Sequence, residues 1–163
     1  MRKQGLAAFN IKDAKIVILG TFPGEESLRM GKYYSDSRNQ FWQLLGLEKH
    51  DFDGLKKLNI GLWDVIESCE RDNSADNNIK NEQYNKLSVL NKKMILFNGV
   101  KAYEYFLNAQ EKQKTTVNVY KKQILPSSSG ALSIELKVKR KQWKRIINKY
   151  KTKFFLKKLL RLS

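Results

Sequence analysis

Four short apolar runs, each closing on glycine, proline or small polar residues, constrain this chain more than any other feature. Lys15–Leu19 reads KIVIL and stops at GTFPG; Ile60–Ile66 reads IGLWDVI. Met94–Phe97, MILF, closes on Asn98-Gly99, and Thr115–Leu125, TTVNVYKKQIL, closes on PSSSG. A continuous apolar run ended by Gly or Pro is the pattern of a strand buried on both faces of a parallel sheet. Helical spacing falls between the runs: Gln40–Leu47, Phe52–Leu58, Glu82–Leu90, Val100–Gln113 and a long stretch over Ser133–Tyr150. Strand and helix in alternation predict an α/β protein with a mostly parallel central sheet of about four strands.

The 163 residues suffice for one domain with its own core, so a single unit over 1–163 is expected. Thirty-two Lys and Arg against sixteen Asp and Glu leave a net charge of +16. That excess points to a polyanionic partner, nucleic acid ahead of a mere solubility device. From Ser133 onward Glu135 is the only acid among twelve basic residues, so 133–163 reads as a basic helix and tail. The segment KFFLKKLLRL has the makings of a basic amphipathic helix, which docks on the domain or, less expectedly, on a membrane surface. Cys69 and His50 are the only residues of their kinds, so neither an internal disulfide nor a Cys/His metal set can be assembled. No apolar run is long enough to cross a bilayer and no signal peptide opens the chain, so the expected setting is cytoplasmic, with no membrane partner.

In open parallel sheets ligands bind beyond the carboxyl ends of the strands. Gly20–Gly24 is either a tight turn or a place where missing side chains let a ligand approach backbone N–H groups. It matches neither a Walker loop nor a dinucleotide fingerprint. Leu125–Gly130 offers Ser127, Ser128 and Ser129 ahead of a helix, as caps or as a phosphate cradle. Asn98 is a turn or cap residue, or a carboxamide that reads a base edge. Asp64, at a strand end, hydrogen-bonds neighbouring backbone or serves as a secondary catalytic carboxylate.

Tyr33–Trp42, YYSDSRNQFW, mixes stacking and hydrogen-bonding groups. Ser37 and Gln40 fit a capping box, which predicts Ser37 at the N-cap and Asn39 in the first helical turn. There a carboxamide sits near unsatisfied N–H groups and the positive end of the dipole, suited to holding a water and stabilising a departing anion. Tyr33 and Tyr34 are candidates to stack on a base; Phe41 and Trp42 are expected in the core. Arg38 either binds a phosphate or pairs with Asp36 or Asp64.

GTFPGEESLRMGKYYSDSRNQFW, with GLWDVIESCERDNSADNNI, FNGVKAYEYF and LPSSS following in order, resembles the uracil-DNA glycosylase superfamily, nearest its hypoxanthine glycosylase branch. The resemblance covers about Lys15–Trp143. It implies a three-layer α/β/α sandwich and a monofunctional, metal-free and cofactor-free enzyme. Such an enzyme flips a deaminated base, hypoxanthine or mismatched uracil, out of double- or single-stranded DNA and hydrolyses its N-glycosidic bond in base excision repair. It implies Asn39 as the catalytic residue, Gly20, Thr21, Phe22, Pro23 and Gly24 as the base pocket, and Asn98 against the base; beside these, Phe22 or Tyr34 is the aromatic expected to stack on the extruded base. Ser127, Ser128 and Ser129 would press on the DNA backbone, aided by Arg38, Lys139 and Arg140, and the enzyme is expected to be a monomer. Three positions depart from the superfamily pattern. Leu125 stands where efficient uracil glycosylases have a histidine, Phe22 where other branches have an acid or amide, and Ser128, Gly130 and Leu132 alter the last block. The rival reading is a non-catalytic nucleic-acid-binding α/β protein, which would keep the basic helix and the Ser loop without needing Asn39.

Overall fold

The computed structural model describes residues 1–119 and 123–160, the stretch 153–160 by its backbone alone. Its centre is a parallel sheet of β2 (Ile16–Gly20), β3 (Ile60–Asp64), β6 (Met94–Asn98) and β7 (Ile124–Leu125), in the order β3-β2-β6-β7. Every residue of β2 is buried, as expected of the strand flanked on both edges and covered on both faces. Alternate side chains therefore feed two cores. Ile16, Ile18, Ile60, Leu62 and Leu96 face one helical layer, made of α2 (Phe41–Leu45), α3 (Phe52–Lys57) and α5 (Leu136–Leu160). Val17, Leu19, Ile95 and Phe97 face the other, where α4 (Val100–Gln113) contributes Ala102, Phe106 and Ala109. The result is an α/β/α sandwich.

The long basic helix is anchored by its apolar side. Trp143 is fully buried, meets Phe41 edge-on at 5.8 Å between ring centroids, and donates its indole N–H to the Pro126 carbonyl at 2.8 Å. Truncating such a side chain typically costs about 3–5 kcal/mol. Ile147 and Tyr150 continue the stripe inward, while Lys141, Lys144, Arg145 and Lys149 face solvent. The helix runs through Leu160; of the expected tail segment, 161–163 lie outside the described residues.

Three expected elements come out differently. Ile60–Ile66 is not one strand: after Asp64 the chain leaves the central sheet, its Val65 and Ile66 N–H groups still bonded to the Gly20 and Thr21 carbonyls at 2.9 and 3.1 Å. It then enters β4 (Ile66–Glu70) of a separate antiparallel sheet, ordered β1 (Arg2–Gln4), β4, β5 (Lys80–Tyr84). Glu82–Leu90 is accordingly not a helix. Its first half pairs with β4, Ile66 opposite Tyr84, and its second half forms a single 3-10 turn, so cross-strand pairing overrides a modest helical preference. Of Thr115–Leu125 only Ile124–Leu125 is strand, and 120–122 lie outside the described residues. A short helix absent from the sequence reading, α1 (Glu25–Met30), starts at Gly24 with Glu25 and Glu26 in its first turn, where acids suit the dipole.

Candidate active site

Register decides which residues meet at the carboxyl edge of the sheet. Gly20 lies beside Asp64 across β2 and β3, and Asn98 lies beside Leu125 across β6 and β7. Above these tips opens a cleft of about 640 Å³. It is lined by Gly20, Thr21, Phe22, Pro23 and Gly24, by Tyr34, Arg38 and Asn39, by Asp64 and Asn98, and by Ser127, Ser128 and Ser129. Five segments far apart in the chain thus converge on one concave site, at the position open α/β sheets favour for ligands.

Asn39 lies in this cleft, but not in a helical turn. The helix begins at Phe41 with Gln40 as its N-cap, and Ser37 is exposed and caps nothing, so the expected capping box is absent. The cause is tertiary: the Gln40 N–H donates to the Ser128 carbonyl at 2.8 Å, which draws Gln40 out of helical register. Asn39 itself supplies the local cap. Its Oδ1 accepts the Phe41 N–H at 3.0 Å, and its own N–H closes a turn onto the Asp36 carbonyl at 3.0 Å. The carboxamide is therefore held at a helix N-terminus from outside it, and its Nδ2 has no hydrogen bond within the described residues.

Asp64 forms the floor. The residue is 5% exposed, and its Oδ2 is buried with no hydrogen-bond partner among the described residues. Its Oδ1 packs over Gly20, where an added Cβ would lie 2.3 Å away; only glycine leaves room for it. Burial pushes the carboxyl up to about 8; the Asp76 charge adds to this and Arg71 opposes it. The Tyr34 hydroxyl is also buried, 3.6 Å from the place a Gly20 Cβ would take; it interacts with Asn98 but makes no hydrogen bond of good geometry among the described residues. Burial, with the Asp64 charge, holds that phenol well above its ordinary pKa.

Two aromatics of the cleft, Tyr34 and Phe22, each have one face occupied. Tyr34 stacks on Phe41 at 3.8 Å with 12° between rings. The Arg71 guanidinium sits over Phe22, 4.9 Å from its centroid. Tyr33 is buried, its hydroxyl donating to the Ala7 carbonyl at 3.1 Å.

Several residues expected at the DNA or the base are otherwise engaged. The Asn98 Nδ2 donates to Ser128 Oγ at 2.8 Å, and its Oδ1 accepts the Ser128 N–H at 2.8 Å. Ser128 thus takes one N–H and one lone pair of this carboxamide, which lines the cleft with the others toward Tyr34. Ser128 is fully buried and cannot press on a backbone. Lys139 is also fully buried, its ammonium donating to Gln40 Oε1 at 2.8 Å and to the Ser129 carbonyl at 2.9 Å. It ties α5 to the cleft wall from inside; desolvation lowers its pKa, and it is not a phosphate ligand. Arg38 forms a two-pronged pair with Asp36, at 3.1 and 2.9 Å, which holds the Asp36 carboxyl down to about 2. Arg38 remains 84% exposed at its side chain, at the cleft rim. Arg140 is exposed and donates to the Gln43 carbonyl at the end of α2. Ser127 and Ser129 keep the outer turn: Ser127 Oγ accepts the Ser129 N–H, and Ser129 Oγ the Ala131 N–H, each at 3.2 Å. Gly130 is required here, because a Cβ would lie 2.7 Å from the Arg38 carbonyl oxygen.

One wall escaped the sequence reading of individual residues. Ser74, Asp76 and Asn77, from the segment after β4, close the cleft opposite the Ser loop. Arg71 fastens this segment to the Gly20–Gly24 loop. Its guanidinium is fully buried, donates to the Pro23 carbonyl and lies 3.8 Å from Asp76. Ser74 Oγ accepts the Glu25 N–H at 3.0 Å. The dense Asp/Asn/Ser composition of 72–78 was the available signal for a polar loop at a site.

Comparison with known proteins agrees with this geometry. The family description "Uracil DNA glycosylase superfamily" matches residues 6–151. A protein of Methanosarcina barkeri named hypoxanthine DNA glycosylase is 37% identical over 160 residues, covering 88% of this chain and 96% of its own. One of the same name from Methanosarcina acetivorans is 34% identical over 163 residues, covering 90% and 98%. The solution NMR structure of a Methanosarcina acetivorans protein, provisionally assigned as a uracil DNA glycosylase, superposes with a TM-score of 0.66 at 31% identity, covering 90% of this chain and 97% of that one.

Proposed function

The chain belongs to the uracil DNA glycosylase superfamily and is a DNA glycosylase, and on that footing we propose that its substrate is hypoxanthine in DNA, removed by hydrolysis of the N-glycosidic bond after the nucleotide is flipped out. Relatives named for hypoxanthine support the choice of base. So does Leu125, fully buried at the end of β7: no imidazole stands there to assist a departing uracil. Mismatched uracil is the second candidate. A base stacked in a duplex is out of reach of a recessed carboxyl such as Asp64, and extrusion costs a few kcal/mol, least for a mispaired base. The exposed Lys and Arg of α5, with Arg38 at the rim, supply phosphate contacts on either strand form. The enzyme acts as a monomer, with the cytoplasm as its setting.

The observation that carries this reading is Asn39. Its Oδ1 is immobilised by the Phe41 N–H and keeps a second lone pair, and its Nδ2 is unengaged, all within the cleft. A carboxamide is too weak a base to deprotonate water. It can hold one in line with the sugar carbon as oxocarbenium character develops, so preorganisation supplies its contribution.

The test is a duplex with one hypoxanthine, incubated with protein and then alkali. Strand cleavage is expected with the wild type and its loss, by 100-fold or more, with Asn39→Ala. Binding without base release on hypoxanthine and uracil alike would favour a non-catalytic binding protein instead.

A further inference from the structure

The cleft has to manage the electron pair that leaves with the base. When the bond from the sugar carbon to the purine nitrogen breaks, that pair stays on the base. Unless the base receives a proton, it departs as an anion. Among the described residues lining the cleft, Arg38 is the one cationic side chain, and it is both at the rim and tied to Asp36. Leu125 presents only an apolar side chain at its strand end, and the Lys139 ammonium is turned away into the wall. At the floor, among the described residues, Asp64 Oδ2 is buried without a hydrogen-bond partner, and the buried Tyr34 hydroxyl, which interacts with Asn98, makes no hydrogen bond of good geometry. A buried carboxyl oxygen left unmatched is costly, so its presence at the base of a site needs a reason.

Resting on the glycosylase reading above, we propose that Asp64, in its neutral form, is the general acid that protonates the leaving base, with the Tyr34 hydroxyl as its companion donor. The proton on Asp64 moves to a ring nitrogen or the exocyclic oxygen of the base as the glycosidic bond breaks. The base departs neutral and Asp64 is left as a carboxylate. The water held by Asn39 adds to the sugar carbon and loses a proton, which returns to the carboxylate through solvent. The sum is one water consumed, one neutral base and one abasic sugar formed. This is the opposite of using Asp64 to activate water.

The surroundings favour the neutral carboxyl. Burial dominates, and the groups facing Asp64 are mixed: Asp76 and Arg71 from the segment after β4, and Tyr33 and Tyr34 from the segment before α2. Arg71 alone would ionise it, but the guanidinium is committed to the Pro23 carbonyl and lies within reach of Asp76. Asp36, in the same cleft, is held ionised by Arg38. Two carboxyls of one site are thereby driven apart in acidity, as acid-catalysed glycoside cleavage requires of its members.

Leaving-group dependence tests the proposal. Hypoxanthine needs a proton to leave well; 7-methylhypoxanthine already carries a positive charge in the nucleoside and leaves neutral without one. Single-turnover rates are measured on duplexes of each at about pH 5.5, where the methylated base keeps its positive charge, and on hypoxanthine also up to about pH 8.5, for wild type and Asp64→Asn, after subtracting spontaneous loss and checking that both proteins melt cooperatively. The expected result is a fall of about 100-fold or more on hypoxanthine with Asp64→Asn, and of no more than about threefold on 7-methylhypoxanthine. On hypoxanthine the wild type alone should begin to lose rate as pH approaches about 8, before the base's own N1 proton leaves, a readout that survives if the variant fails to fold. Equal losses on both bases, or an unchanged rate with Asp64→Asn, would overturn the acid role while leaving the glycosylase reading intact. Release of neither base by the wild type would remove the glycosylase reading, and this proposal with it.

Discussion

Asn98 and Ser128 hold one another through two hydrogen bonds of 2.8 Å, side chain to hydroxyl in one direction and backbone N–H to side chain in the other. This closed pair locks the tip of β6 to the Ser loop, and through the Ser128 carbonyl to Gln40, next to Asn39. Asn98→Ala leaves the buried Ser128 N–H unmatched, so about 1–3 kcal/mol of stability should be lost in urea denaturation. Activity should fall by a similar factor on every base the enzyme accepts. Selective loss on one base would instead mean that Asn98 reads the base edge after all.

Gly20 and Asp64 form the second close relationship. A methyl at Gly20 would meet Asp64 Oδ1 at 2.3 Å, well inside contact distance. Gly20→Ala must displace either the carboxyl or β2, an overpacking that costs about 1–3 kcal/mol. Base release should drop by at least tenfold, while binding to undamaged duplex, which needs only the basic surface, should stay within about twofold.

Lys139 and Arg140 are neighbours in sequence with opposite fates. Lys139→Ala should destabilise by a few kcal/mol, because it leaves Gln40 Oε1 and the Ser129 carbonyl without their buried donor and opens a cavity. It should leave the salt dependence of DNA binding unchanged. Exposed substitutions such as Lys144→Ala, if that residue meets phosphate, should lower the slope of log K against log salt by about one with little effect on melting.

Asp64 makes stability depend on pH in a defined direction. Below its unfolded value of 3.8 it is protonated in both states. As pH rises toward about 8 the unfolded chain releases this proton and the folded one retains it, so unfolding is favoured progressively; above about 8 the loss is complete. The melting temperature of the wild type relative to Asp64→Asn should therefore fall by several degrees between pH 4 and 8 and level off beyond. A difference that grows more favourable to the wild type with pH would show that Asp64 is ionised in the fold.

The α/β class, the buried strands and the strand-end location of the site are legible in the chain's residue order, because apolar runs closed by Gly and Pro report burial on both faces whatever the neighbours do. Asn39 stands out there too, on the polarity and aromatic content of one short segment and on the order of blocks it shares with a superfamily. Which polar groups are free is settled by long-range contacts in the fold. Asn98, Ser128 and Lys139 carry the chemistry of ligand-binding residues, yet their hydrogen bonds go to atoms 30, 30 and 99 residues away. Asp64 has the chemistry of an ordinary strand-end acid, yet β2–β3 register sets its carboxyl over Gly20, and the departure of the chain at Val65 leaves that carboxyl at the cleft floor. Residue type sets what a group can donate or accept; whether a partner has already claimed it is a matter of long-range register, which no local pattern encodes.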